Sequence, residues 1–256
     1  MIISHKLKVI FIKTSKTASS SFELALSKYC GPDDIYTEIG TDTNIRKSWN
    51  IPQSQNTKKA KGGHHTSASK IKKTVPKNIW NNYLKVSIIR CPYDTLISSY
   101  YWNKSRESLS LFIANLLAPA KRLWGYKVIC IDNRLVTDFL IRYEHLDEDI
   151  KKLETKIGCP GLLETFQNIK DKSNYRPPGK DIYTVYSQNP IARAMIDKVY
   201  GNMMDNELVA KYYPTYKERL DQKVPEPGYF SVFVANVLLK YFSLKKSLKK
   251  KSKKNR

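Results

Sequence analysis

Val9-Ile10-Phe11-Ile12-Lys13-Thr14-Ser15-Lys16-Thr17-Ala18-Ser19-Ser20-Ser21 is the stretch that decides the fold. Its first four residues are β-branched or aromatic, the composition of a buried strand. The run then breaks into a short polar loop around Lys16, and Phe22-Glu23-Leu24-Ala25-Leu26 continues as an amphipathic helix. Strand, tight loop and helix N-terminus form a phosphate-binding geometry, because the first N–H groups of the helix lack intrahelical acceptors and the helix dipole favours an anion there. Lys16 adds a full positive charge, and Thr17, Ser19, Ser20 and Ser21 add hydroxyl groups. No Gly-x-x-x-x-Gly-Lys is present, so the loop is not a Walker A motif. The expected ligand is a phosphate or sulfate ester held in another way.

A second strand-to-helix junction lies at Leu84-Lys85-Val86-Ser87-Ile88-Ile89-Arg90-Cys91-Pro92-Tyr93-Asp94. The apolar run ends at Arg90, and Pro92 stands where a helix can begin. Ser98 then falls almost two turns into that helix. An arginine at the strand end and a serine on the helix are suited to converge on one phosphate, since a guanidinium binds two phosphate oxygens at once.

These motifs resemble those of the membrane-type carbohydrate sulfotransferases. Lys16-Thr17-Ala18-Ser19-Ser20-Ser21 is similar to that family's 5′-phosphosulfate loop, and Arg90-x-Pro92-Tyr93-Asp94-x-Leu96-x-Ser98-x-Tyr100 to its 3′-phosphate motif. His65-Thr66-Ser67-Ala68 with Ile71 resembles the segment carrying the catalytic histidine in part of the family, and residues 132–149 resemble a hairpin-then-helix signature. The likeness spans roughly residues 8–216. Ser15, Ala18, Cys91 and Thr95 stand where Pro, Gly, Asn and Arg are usual. The resemblance implies an α/β fold: a single P-loop-like domain whose central parallel sheet is flanked by helices. It also implies transfer of a sulfuryl group from 3′-phosphoadenosine 5′-phosphosulfate (PAPS) to an acceptor hydroxyl, with glycan as the best acceptor class and no metal. In that reading Lys16 and His65 are catalytic, with His64 an alternative base. Lys16, Thr17, Ala18, Ser19, Ser20, Ser21, Arg90 and Ser98 bind the nucleotide. Lys172 and Arg176, in a loop that closes over nucleotide or acceptor in such enzymes, join the binding set, although solvated loop charges explain them equally well. The acceptor groove is expected around residues 40–63 and from Trp102 to Trp124, where core packing is the competing explanation for the aromatics.

Composition is consistent with a globular enzyme: 256 residues and 41% hydrophobic content suffice for a sizeable core. The net charge of +22 calls for an anionic partner, but does not choose between nucleotide, polyanion, acidic membrane and nucleic acid. Nine basic residues and no acid lie between Lys240 and Arg256. Cys30, Cys91, Cys130 and Cys159 are too widely spaced for a Cys-x-x-Cys or zinc pattern, and buried reduced thiols are expected. No secretory signal is read, and no apolar run reaches the ~18–20 residues of a membrane span, so a cytoplasmic enzyme with a peripheral-membrane option is expected.

The expected layout is a strand at 7–13, helices at 19–29, 66–73 and 77–82, a strand at 84–90, and helices at 93–103 and 109–117. A hairpin of 127–131 and 136–142, turned by Asp132-Asn133, precedes helices at 144–157, 189–201 and 205–212. Residues 31–63 read as irregular. Pro225, Pro227 and Gly228 separate a transferase domain, 1–224, from a C-terminal apolar helix and lysine-rich tail, 225–256. That final segment is either a core helix with a loose tail or an interfacial anchor on anionic lipid. Two other function classes stay open: a nucleotide or small-molecule kinase with an atypical phosphate loop, and a basic nucleic-acid-binding protein. The kinase lacks a Walker lysine motif and a clear magnesium carboxylate pair. The nucleic-acid reading lacks a recognised module, and much of the charge sits in the tail.

Overall fold

The computed structural model describes residues 1–38, 43–59, 63, 65–118, 125–169 and 176–254. In chain order the elements are β1 (Ile2–Ser4), β2 (Val9–Phe11), α1 (Ser19–Ser27), β3 (Ile35–Tyr36), α2 (Thr43–Ser48), α3 (Ala68–Thr74), α4 (Lys77–Asn82) and β4 (Leu84–Ile89). There follow α5 (Pro92–Trp102), α6 (Leu109–Leu117), α7 (Tyr126–Ile129), β5 (Cys130–Ile131), β6 (Arg134–Leu135), β7 (Phe139–Arg142) and α8 (Leu146–Ile157). The chain ends with α9 (Leu162–Gln167), α10 (Ile182–Gln188), α11 (Pro190–Gly201), α12 (Glu207–Asp221) and α13 (Tyr229–Lys254). These elements form two compact units, Met1–Arg90 with Trp124–Ser173, and Cys91–Leu123 with Asn174–Arg256.

The first unit holds a mixed five-stranded sheet in the order β3-β1-β2-β4-β7, flanked by helices. β2, β4 and β7 run parallel, in the registers Phe11↔Val86 and Val86↔Phe139. The expectation of a parallel sheet therefore holds for three strands. The other edge is antiparallel: β1 pairs with β2 (Ile3↔Ile10) and with β3 (Ile3↔Ile35). Only residues 5–8 join β1 to β2, too few for the crossover that a parallel pair requires. Residues 31–63, read as irregular, supply β3, α2 and a turn of 3₁₀ helix at Thr57–Lys59.

The hairpin expectation is half right. Asp132 and Asn133 both have positive φ, 50° and 63°, as a two-residue turn demands. The strands they join are β5 and β6, however, not 127–131 and 136–142. Asp138 diverts the chain into the main sheet. Its N–H donates to the Lys85 carbonyl at 2.8 Å. Its carboxylate accepts from the Lys85 N–H at 2.8 Å and pairs with Nζ at 2.7 Å. Phe139–Arg142 can then run beside β4 as β7.

The core of this unit lies between the sheet and α1, α8 and α9. Phe11, Phe22, Val86, Ile88, Ile141, Ile150 and Leu153 are fully buried. The Phe11 and Phe22 rings meet at 4.9 Å and fix α1 over β2. α8 is tied to the end of β7 by a two-pronged Arg142–Asp149 pair, Nε and Nη2 each 2.7 Å from a carboxylate oxygen. α8 stops at Gly158, whose φ of 62° closes the helix as expected. The second unit is helical. At its centre Tyr93, Tyr200 and Tyr213 form a ring cluster, with Tyr200 and Tyr213 stacked at 4.9 Å. α12 continues past the expected end at 212, through Pro214, to Asp221. None of the four cysteines is in a disulfide; Cys91, Cys130 and Cys159 are buried as expected and Cys30 is half-buried, and burial pushes the Cys159 thiol up to about 11.

Candidate active site

The loop between β2 and α1 is built by its own hydroxyls. The Thr14 hydroxyl donates to the Ile88 carbonyl at 2.5 Å and lies 2.9 Å from the Thr17 hydroxyl. The Ser19 hydroxyl turns back to the Thr14 carbonyl. At the base of the loop, the Ile12 N–H donates to the Val86 carbonyl at 2.8 Å, and the Ser87 hydroxyl donates to the Ile12 carbonyl at 2.7 Å. Two residues take the left-handed conformation, Lys16 at φ 62° and Ala18 at φ 57°. Ala18 is the N-cap of α1 and offers no side-chain acceptor, so no side chain occupies the helix mouth from that position. Such a mouth suits an anion. Of the expected hydroxyl ligands, Thr17 and Ser19 hold the loop together and Ser21 is buried, whereas Ser20 is half-buried, as is Lys16.

Beneath the loop lies a feature that the sequence reading missed. Lys13 and Glu23 form a buried ion pair, Nζ to Oε2 2.5 Å. Glu23 stands among Phe22, Leu24, Ala25 and Leu26, and a charge inside so apolar a helix was the available signal. The Glu23 carboxylate is fully buried and already engaged, so it does not face an acceptor.

His65 reaches this loop from a distant part of the sequence. Two residues after it Ser67 caps α3, its side chain accepting from the Lys70 N–H, and Ala68 and Ile71 bury that helix. The Thr66 hydroxyl bonds to the Gly63 carbonyl at 2.7 Å. The imidazole Nδ1 lies 3.3 Å from the Lys13 carbonyl, and Nε2 lies 3.2 Å from the Ser15 hydroxyl. A carbonyl only accepts, so the first contact puts the proton on Nδ1 and leaves Nε2 as the basic nitrogen, while the Ser15 hydroxyl also lies 3.5 Å from Nδ1. The ring is open to solvent on one side. Packing against the loop nevertheless disfavours its charged form, outweighing the Lys13 carbonyl, and its pKa falls below the ordinary histidine value. His64 lies outside the described residues.

Arg90 closes the other side of the loop. It is 9% exposed, its Nη1 donates to the Lys16 carbonyl at 2.8 Å, and its guanidinium lies 3.8 Å from the Tyr143 ring centre. Lys16, His65 and Arg90 are thus gathered at one loop of one unit. Tyr143 and Ser15 are supporting residues that the motifs did not single out. Ser98 is half-buried on α5 in the second unit. Arg176 is not a loosely solvated charge: it forms an ion pair with Asp94 in the first turn of α5, Nη2 to Oδ1 2.5 Å. Lys172 and Trp124 lie outside the described residues, as do 40–42 and 60–62 of the expected acceptor segment. Among the described residues no cluster of three or more His, Cys, Asp or Glu could hold a metal ion.

A strand–loop–helix cradle with a lysine, an imidazole and a strand-end arginine is an arrangement suited to an anion such as a phosphate or sulfate ester. Comparison with known proteins narrows this. The model of the sulfotransferase family matches residues 1–218, and the chain belongs to that family. It is a transferase of the sulfotransfer class. An uncharacterized protein of Archaeoglobus fulgidus is 30% identical over 112 residues, covering 41% of this chain and 93% of the relative. No solved structure matches.

Proposed function

We propose that the enzyme transfers a sulfuryl group from PAPS to an acceptor hydroxyl, on a glycan, within a transferase domain of residues 1–224. The observation that carries this reading is the seat of His65 on the phosphate-type loop, with Nε2 as the basic nitrogen beside Ser15. The acceptor oxygen attacks sulfur in line. The bond from sulfur to the bridging phosphate oxygen breaks, and its electron pair leaves with adenosine 3′,5′-bisphosphate. The acceptor proton passes to Nε2 of His65. Lys16 and the N–H groups at the start of α1 stabilise the charge that grows on the leaving phosphate, with Ser20 as the hydroxyl donor. Arg90 and Ser98 read the 3′-phosphate, and Lys172 and Arg176 belong to the segment that covers the nucleotide. Arg176 has to exchange Asp94 for the ligand to do so. An anionic membrane surface is a separate partner, carried by the C-terminal helix.

Ligand-dependent melting tests the donor. Adenosine 3′,5′-bisphosphate at 100 times its Kd should stabilise the protein by about 2.7 kcal/mol. Stabilisation by ATP with magnesium but not by the bisphosphate would establish a kinase instead, and stabilisation by an oligonucleotide alone a nucleic-acid-binding protein. Transfer of labelled sulfate to a panel of glycan, lipid and phenolic acceptors then tests the acceptor class.

A further inference from the structure

We propose that α13 seats the enzyme on an anionic lipid bilayer through an apolar stripe that the protein itself leaves bare. The inference goes beyond the sulfotransfer reading and does not depend on it. One face of α13 is fastened inside the second unit. Ala235 and Leu239 are buried, and the helix packs on α6 and α11. Lys198 on α11 donates to the Asn236 side chain. The ammonium of Lys246 donates to the Asn115 and Ala118 carbonyls at the C-terminus of α6, the latter at 2.5 Å. Burial there lowers the Lys246 pKa, as befits a lysine used as a clamp rather than displayed to water.

The opposite face is apolar and exposed. Phe230, Phe233, Val237, Tyr241, Leu244 and Leu248 recur at intervals of three and four, the period of an α-helix, and so form one line. At 100° per residue their centre lies across the helix from Ala235 and Leu239. Phe230 is 75% exposed, Phe233 65% and Leu248 67%. A continuous stripe of large apolar side chains on a helix already fastened by its other face is an interaction surface rather than scattered surface residues.

Charge selects the occupant. Between Lys240 and Arg256 there are nine basic residues and no acid. Lys240, Lys245 and Lys249 are exposed beside the stripe. A second copy of the chain would bring the same charges face to face, whereas anionic lipid neutralises them while its acyl chains receive the aromatic side chains. No helix among the described residues is long and apolar enough to cross a membrane, so the geometry fits a helix lying in the interface plane.

The test is flotation of the full chain with vesicles of phosphatidylcholine alone or with 30% phosphatidylserine. The protein should float with the anionic vesicles only, and raising the salt from 0.1 to 0.5 M should lower the bound fraction at least tenfold. Phe233→Glu/Leu244→Glu should lose binding at least tenfold while the circular dichroism and melting temperature stay those of the parent. Lys245→Glu/Lys249→Glu, which leaves the stripe untouched, should do the same and keeps the test open if the first variant misfolds. Failure of the parent chain to float with anionic vesicles overturns the proposal, as does flotation that neither variant reduces. A dimer in light scattering that Phe233→Glu/Leu244→Glu converts to monomer, without vesicle binding by the parent, assigns the stripe to a second copy and overturns it too.

Discussion

The guanidinium of Arg90 donates to the backbone carbonyl of Lys16 at 2.8 Å while lying on the Tyr143 ring. One arginine at the end of β4 thereby fixes the loop that carries the lysine. This changes what a substitution of Arg90 reports. Arg90→Ala removes a charge-assisted hydrogen bond to the loop and, in the reading above, a 3′-phosphate contact.

Each such bond is worth about 1.5–3 kcal/mol, or roughly 10- to 150-fold in affinity. Arg90→Ala should therefore weaken adenosine 5′-phosphosulfate, which has no 3′-phosphate, through the loop, and should weaken PAPS by at least a further ~10-fold. Isothermal titration with the two nucleotides separates the effects. Equal losses would confine Arg90 to holding the loop. Tyr143→Leu, which removes only the ring, should weaken both nucleotides alike.

Ala18 occupies the left-handed region at φ 57°, where its Cβ is crowded. A glycine at this position avoids that strain, which costs about 1–2 kcal/mol, but loses about 0.4–1 kcal/mol through the greater freedom of the unfolded chain. Ala18→Gly should therefore stabilise the protein by about 0.5–1 kcal/mol, raising Tm by about 1–4 °C. Ala18→Val, β-branched in the same conformation, should lower Tm. A calorimetric scan in which the glycine variant melts lower than the parent would show that the loop does not keep this conformation in solution.

The sequence made the local parts of this site legible and concealed the long-range ones. Strand, loop and helix at 9–27 follow from a change of hydrophobic period within a few residues, and both Asp132-Asn133 and Gly158 act through their own backbone preferences. β1 and β3 are three and two residues long and lie in segments whose lysines, glycine and prolines mask any alternation. β7 was read as a hairpin arm because its true partner, β4, is fixed by Asp138 on Lys85, a contact between residues far apart in the chain. Ser15 counted only as a departure from a usual proline. Its hydroxyl gains meaning once His65 lies beside it, and no spacing rule announces that.

Glu23 offers a test of support against chemistry. Its carboxylate is the partner of buried Lys13, and removing one member of a buried pair typically costs about 3–5 kcal/mol because the other charge is stranded. Glu23→Gln should destabilise the protein by that order in urea titration, while turnover of the folded enzyme, assayed well below its Tm, stays within severalfold of the parent. A variant with parental stability and abolished turnover would instead make Glu23 a participant in the chemistry.

His65 yields the pH prediction. Its pKa is lowered chiefly by desolvation, so the neutral form that accepts a proton persists to more acid pH than for a free histidine, whose pKa is about 6.5. The profile of kcat/KM should rise with pH through an apparent pKa below that value, because turnover requires the deprotonated ring and is lost as pH falls through the folded-state pKa. The Ser15 hydroxyl lies 3.2 Å from Nε2, and a donor at that nitrogen favours the neutral ring. Ser15→Ala should move the acid limb back toward 6.5 with little change in donor affinity, a shift that a merely structural serine would not produce. His65→Gln should abolish that limb and lower kcat by about 10²–10⁴-fold, while melting with adenosine 3′,5′-bisphosphate shows donor binding retained. The same sign governs stability: an imidazole held neutral in the folded state and more readily protonated in the unfolded chain withdraws its contribution as pH falls below 6.5. The parent should therefore lose slightly more stability than His65→Gln on acidification from pH 7 to 5. An acid limb unmoved in both variants would assign the base to another group.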